Sequence, residues 1–110
     1  MTAIELRGGR RPDHPLAAAE RLFRQVAADR LDVLSTAWVR LDSGHHIAEA
    51  LVDIRSVSHK IAGTAASLGH AGLGQLAEKV EALCMNGSGR DDLQRALRPL
   101  ISALAELIDD

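Results

Sequence analysis

Apolar residues recur along this chain at steps of three and four, the spacing of one helix face rather than of a strand. Leu22, Phe23, Val26, Val33, Leu34, Trp38 and Leu41 form a first stripe, with Arg30 its one polar member. Pro15 suits the first turn of such a helix, with Asp13 or His14 as its cap. The run is long enough to allow a break near Ala28 and Asp29. Asp42-Ser43-Gly44 is a turn signal. A second stripe follows with Ile47, Ala50, Leu51, Ile54, Val57, Ile61, Ala65 and Leu68, and Gly69 stands where that helix should end. A third carries Leu73, Leu76, Val80, Leu83 and Cys84 and stops at Asn86-Gly87. The fourth carries Leu93, Leu97, Leu100, Ile101, Leu104, Leu107 and Ile108, with Ser88 and Asp91 near its start. Pro99 lies inside this last pattern, removes one backbone hydrogen bond, and is expected to kink or split the helix. Asp109 and Asp110 oppose the helix dipole, so the last turn is expected to fray.

Four amphipathic helices with short connections predict an all-α, up-down-up-down four-helix bundle over residues 15–110. Residues 1–14, with Gly8, Gly9 and Pro12 as breakers, are expected to form a flexible N-terminal lead-in. Composition agrees: aromatic residues are 2% of the chain, and Ala and Leu dominate the apolar set, which favours helix over strand. A formal net charge of −2 supplies no global basic field for nucleic acid. Arg7, Arg10 and Arg11, among glycines, read as a solvated tail. The single Cys84 excludes an internal disulfide, fits a reducing compartment, and reads as a small buried hydrophobe. No apolar stretch approaches the roughly 20 residues of a membrane span, and no leader-like segment opens the chain, so a cytoplasmic location is expected. A bundle that closes on its own core is expected to be a monomer.

His59 departs from the hydrophobic pattern in an informative way. It lies about 140° round the helical wheel from the stripe of the second helix, given roughly 3.6 residues per turn. Arg55, Ser56, Ala62, Gly63 and Ala66 share its side. Gly63 is one turn ahead of His59 and so neighbours it on the surface. A mid-helix glycine costs about 0.5–1 kcal/mol relative to alanine. Two readings account for it. Another protein approaches closely there, or Gly63 and Ala66 let a helix of the same bundle pack tightly.

The residues from His59 to Glu81 resemble a histidine-containing phosphotransfer (HPt) domain. The family pattern has a His, an aliphatic two positions on, a Gly, a small-residue stretch to a second Gly, then a Leu-rich helix. Here these are His59, Ile61, Gly63, Ala65-Ala66-Ser67-Leu68-Gly69, then Leu73, Leu76 and Val80. The resemblance implies a relay in which His59 accepts a phosphoryl group from a receiver-domain aspartate and passes it to another receiver. The implied partners are response-regulator receivers and a hybrid sensor histidine kinase. Ser56, Ala62, Gly63 and Ala66 would form the receiver landing surface. The resemblance implies no cofactor for this chain, because Mg²⁺ is held by the receiver. It also implies a phosphoryl carrier rather than an enzyme with a nucleotide site, and no Gly-rich phosphate loop stands in the sequence. An ordinary imidazole titrates near about 6.5 and so offers a free lone pair at neutral pH.

The pattern departs from the family at one place: the common lysine three positions after the histidine is Ala62. Arg55, one turn before His59, and Lys60, next to it in sequence, are the candidates to supply the cation. Glu81 falls where the family often has Glu or Gln facing the histidine, and could fix the ring's tautomer through a hydrogen bond. The nitrogen away from the backbone would then carry the phosphoryl group.

Other constellations are weak. His45 and His46 are adjacent and point apart on a helix, and His14 and His70 have no clear partner. Zinc sites take about four ligands, so no metal site is expected. Ser58 and His59 are one apart on a helix and do not form a catalytic pair. Val57-Ser58-His59-Lys60-Ile61 also echoes the dimerisation helix of a sensor kinase, but Lys60 replaces the acidic residue that follows the histidine there. The competing reading is a helical adaptor or dimerisation module in which His59 is incidental.

Overall fold

A computed structural model describes residues 15–109. The lead-in, the Asp13 or His14 cap, the basic cluster Arg7, Arg10 and Arg11, and Asp110 lie outside these. The described chain is four helices: α1 Pro15–Ser43, α2 Ile47–Ala65, α3 Ala71–Met85 and α4 Arg90–Asp109, with one 3₁₀ turn at Ala66–Leu68 after α2. Each helix packs on its neighbours in sequence and α4 closes back on α1, while the diagonal pairs do not meet. The result is the four-helix bundle expected from the apolar periodicity.

The stops are chemical. At the end of α2, Gly69 takes φ +87°, and the amides of Gly69 and His70 donate to the carbonyls of Ala66 and Ala65. Gly87 does the same after α3 at φ +67°, with Gly87 and Ser88 donating to Cys84 and Leu83. Both are left-handed closures that satisfy the last free carbonyls of a helix. The turn before α2 uses a residue that no pattern flagged: His46 sits in the left-handed region at φ 57°, and its Nδ1 lies 3.2 Å from Glu49 Oε2.

Neither of the two long helices is split where the sequence allowed it. α1 runs unbroken through Ala28 and Asp29, because Ala27 and Leu34 on either side are buried and hold both halves to one core. α4 runs unbroken through Pro99. Pro99 and Arg95, whose carbonyl loses its intrahelical partner, both lie on the exposed face, where water can satisfy that carbonyl. Flanking Leu97, Leu100 and Leu104 are fully buried and anchor both sides. α4 extends to Asp109.

The buried core contains the larger part of the predicted stripes together with Ala27, Ala37, Ala77 and Ala96, and Ile47, Leu68, Leu76, Leu83, Cys84, Ile101 and Ile108 pack against it half-buried. Leu22 and Leu51 of the stripes are exposed instead. Arg30, Val33 and Trp38 are half-buried at the core's edge, and Trp38 carries the Arg98 guanidinium 5.0 Å over its ring. His70 has the partners its sequence context did not show. Its Nε2 lies 2.7 Å from Glu20 Oε1, and its ring stacks on Phe23 with centroids 5.5 Å apart. Arg24 approaches the same carboxylate and donates to the Leu107 carbonyl, so the α2–α3 connection is tied to both α1 and the end of α4.

Candidate functional site

His59 projects from the middle of α2 into solvent, with its side chain 75% exposed. Its neighbour Ser58 is turned about 100° around α2 and is fully buried. The amphipathic register therefore separates the two, and they form no pair, as expected.

The imidazole is held from α3. His59 Nδ1 lies 2.7 Å from Oε2 of Glu81, whose own side chain is only 20% exposed. An ionised carboxylate only accepts, so Nδ1–H donates to Glu81. That fixes the tautomer: Nε2 keeps its lone pair and has no hydrogen-bond partner among the described residues. The structure thus brings together His59 and Glu81, which are 22 positions apart in sequence.

The two candidate cations differ in position. Arg55 and Lys60 are both exposed, and neither makes a hydrogen bond or ion pair with a described residue. Arg55 lies on the α3-facing side. Burial pushes the Cys84 thiol above its usual range, the Arg55 charge opposes that shift, and Glu81 adds to it. One guanidinium and one carboxylate therefore act on the same α3 turn beside His59. Lys60 is turned about 100° from His59 around α2, and its carbonyl accepts from the Thr64 hydroxyl.

The small residues divide into two sets. Ser56, Gly63 and Ala66 are exposed, and a Cβ built on Gly63 would meet nothing within 4 Å. Ala62 is half-buried. It and Ala66 pack toward Gly74 of α3, where an added Cβ would stand 3.6 Å from the Ala66 amide nitrogen and 3.7 Å from the Ala62 carbonyl. Tight packing within the bundle thus accounts for Ala62, and partly for Ala66, but not for Gly63. Gly74 is the residue the sequence reading missed. Its signal was a glycine on the buried stripe of α3, one position past Leu73.

Among the described residues no three His, Cys, Asp or Glu side chains are grouped to hold a metal. No described helix is long and apolar enough to cross a membrane. The exposed histidine carries a lone pair on its outer nitrogen, and the other nitrogen is tied to a carboxylate on the next helix. That arrangement can accept an electrophile from another molecule. No curated protein and no solved structure matches the chain. The family model of the Hpt domain matches residues 21–110. With all four helices and His59 inside that span, the chain belongs to the Hpt domain family, the phosphoryl-carrier modules of phosphorelays.

Proposed function

We propose that this protein relays a phosphoryl group between receiver-domain aspartates, with Nε2 of His59 as the acceptor. The observation that carries the reading is the His59–Glu81 hydrogen bond beneath an otherwise open imidazole. The Nε2 lone pair attacks phosphorus, the bond from phosphorus to the aspartyl oxygen breaks, and the receiver's carboxylate leaves with the electron pair. The Nδ1 proton stays against Glu81, whose negative charge offsets the positive charge that develops on the ring. Transfer onward reverses these steps at a second receiver.

Phosphoryl transfer depends mainly on positioning and charge stabilisation, which a fixed tautomer and a nearby cation supply. Arg55 is the better placed cation, since it shares the α3-facing side of α2 with the ring, and Lys60 is the secondary one. Ser56, Gly63 and Ala66 leave the approach to Nε2 low, with Ala62 beneath them. In this reading residues 15–110 act as one phosphotransfer domain, as a monomer in the cytoplasm. Phosphoryl groups reach it from receivers, including that of a hybrid sensor kinase, and it needs no nucleotide or metal of its own.

The test is direct. Wild-type protein incubated with a phosphorylated receiver should acquire acid-labile, alkali-stable phosphate. His59→Gln should keep its helical circular dichroism and acquire none. Equal labelling of that variant would remove His59 as the acceptor. The adaptor reading predicts no label on either protein.

A further inference from the structure

The surface row that starts at His59 continues beyond the landing surface. Gly63 and Ser67 follow at steps of four, and each step turns the row about 40° around the helix. Ser67 and Thr64 already line a groove of about 360 Å³ between the first half of α1 and the end of α2. Phe23 forms its floor, and Leu22, Val26 and Leu68 line its walls. Leu22 is 60% exposed there, a large apolar side chain left out of the core it was expected to join.

Arg30 is the one charged side chain among the described residues lining this groove. It makes no hydrogen bond or ion pair with any described residue. Burial lowers the pKa of its guanidinium, and no carboxylate opposes that effect. A partly desolvated cation without a counter-charge costs free energy, and an incoming anion would recover it. The groove is therefore complementary to an apolar side chain accompanied by a carboxylate.

Size fixes which partner can supply them. Ser67 lies about 12 Å along the α2 axis from His59, at roughly 1.5 Å per residue. A standard protein interface buries about 800 Å² per partner, a patch roughly 30 Å across. Thr64 and Ser67 lie about 140° and about 80° round the helix from His59, on the α1 side, so a partner of that size covers both the ring and the groove by wrapping the α1-facing flank of α2.

We propose that this groove is the second contact of the receiver domain that phosphorylates His59: a receiver apolar side chain packs on Leu22, Val26 and Leu68, and a receiver carboxylate pairs with Arg30. The inference rests on the phosphotransfer reading and adds the chemistry by which the chain selects its donor. Contact at His59 alone would be available to any receiver. The groove adds a charge requirement about two turns away.

Transfer from a panel of phosphorylated receivers of the same organism to the full chain tests it, using the fastest donor. Arg30→Glu should lower kcat/KM roughly tenfold or more through KM, as expected for reversing a charge opposite a fixed partner. Leu22→Asp, at an exposed position with no core to disrupt, should lower it several-fold. Arg98→Glu, on the α1–α4 side of the bundle, should leave it within about twofold. The wild-type kcat/KM should fall as salt rises, and Arg30→Gln should flatten that slope. Wild-type values for both Arg30→Glu and Leu22→Asp, with wild-type protein labelling normally, would overturn the groove contact alone. Absence of label on the wild-type protein from every receiver would overturn the phosphotransfer reading and this inference with it. If Arg30→Glu fails to fold, Leu22→Asp and the salt slope of Arg30→Gln decide.

Discussion

At the scale of single residues, the proposed function turns on which nitrogen of His59 carries its proton. The 2.7 Å bond to Glu81 settles that by acceptor chemistry, because a carboxylate can only take the Nδ1 hydrogen. Glu81→Gln keeps the size of the side chain but removes the negative charge beneath the ring. Transfer to His59 should slow about tenfold, in line with losing one electrostatic contact to a developing charge. Stability should change by no more than about 1 kcal/mol, because the imidazole end of the pair is largely exposed. Rapid-quench transfer kinetics and urea unfolding on the same variant separate the two effects. Unchanged kinetics would mean that the bond has no consequence for reactivity. The pairing of His59 with Glu81 was legible in the sequence only through resemblance to the family. Helical periodicity put His59 outside, but no rule of spacing relates two residues on different helices. His70 shows the same blindness. Its partners Glu20 and Phe23 come from α1, about fifty positions away, so its sequence neighbours held no sign of them.

At the scale of the element, α2 carries two kinds of small residue that look alike in sequence. Gly63 faces open space, whereas the α3 glycine at position 74 sits against Ala62 and Ala66. Substitution separates them. Gly63→Leu should leave stability within about 1 kcal/mol of wild type, since leucine is the better helix former and meets nothing, and should slow transfer from receivers several-fold. Gly74→Leu should destabilise the bundle by about 1–3 kcal/mol, because the added atoms must push α2 and α3 apart. Gly74→Ala should be tolerated, its Cβ being at ordinary van der Waals distance. Denaturant midpoints and receiver-transfer rates for the three variants check the division. If Gly63→Leu unfolds, the residue packs inside. The helix count, the glycine stops and most of the large core residues followed from apolar periodicity. The alanines of the core did not, because Ala27, Ala37, Ala77 and Ala96 are common on any helix face and only the partner helix decides which of them it covers. The continuity of α1 and α4 was equally illegible. Local breakers argue for interruption, while buried leucines on both sides of Pro99 override them.

At the scale of the whole molecule, the four helices form a closed ring around a shared apolar core, and His59 stands on the outer wall. No described residue covers it, and no lid among the described helices closes over it. Among the described residues, His59 is the one imidazole held from the neighbouring helix α3 with its outer nitrogen open. In the proposed relay, donor and recipient would therefore occupy the same spot in turn. A recipient regulator in excess, lacking phosphate, should act as a competitive inhibitor of loading by the donor. Steady-state loading rates should fall as that regulator is added and recover as donor concentration rises. Inhibition that extra donor fails to relieve would mean the two bind at separate places. Throughput along the proposed relay would then peak at matched partner abundances and decline on either side, so that copy numbers of the regulators would set the flow.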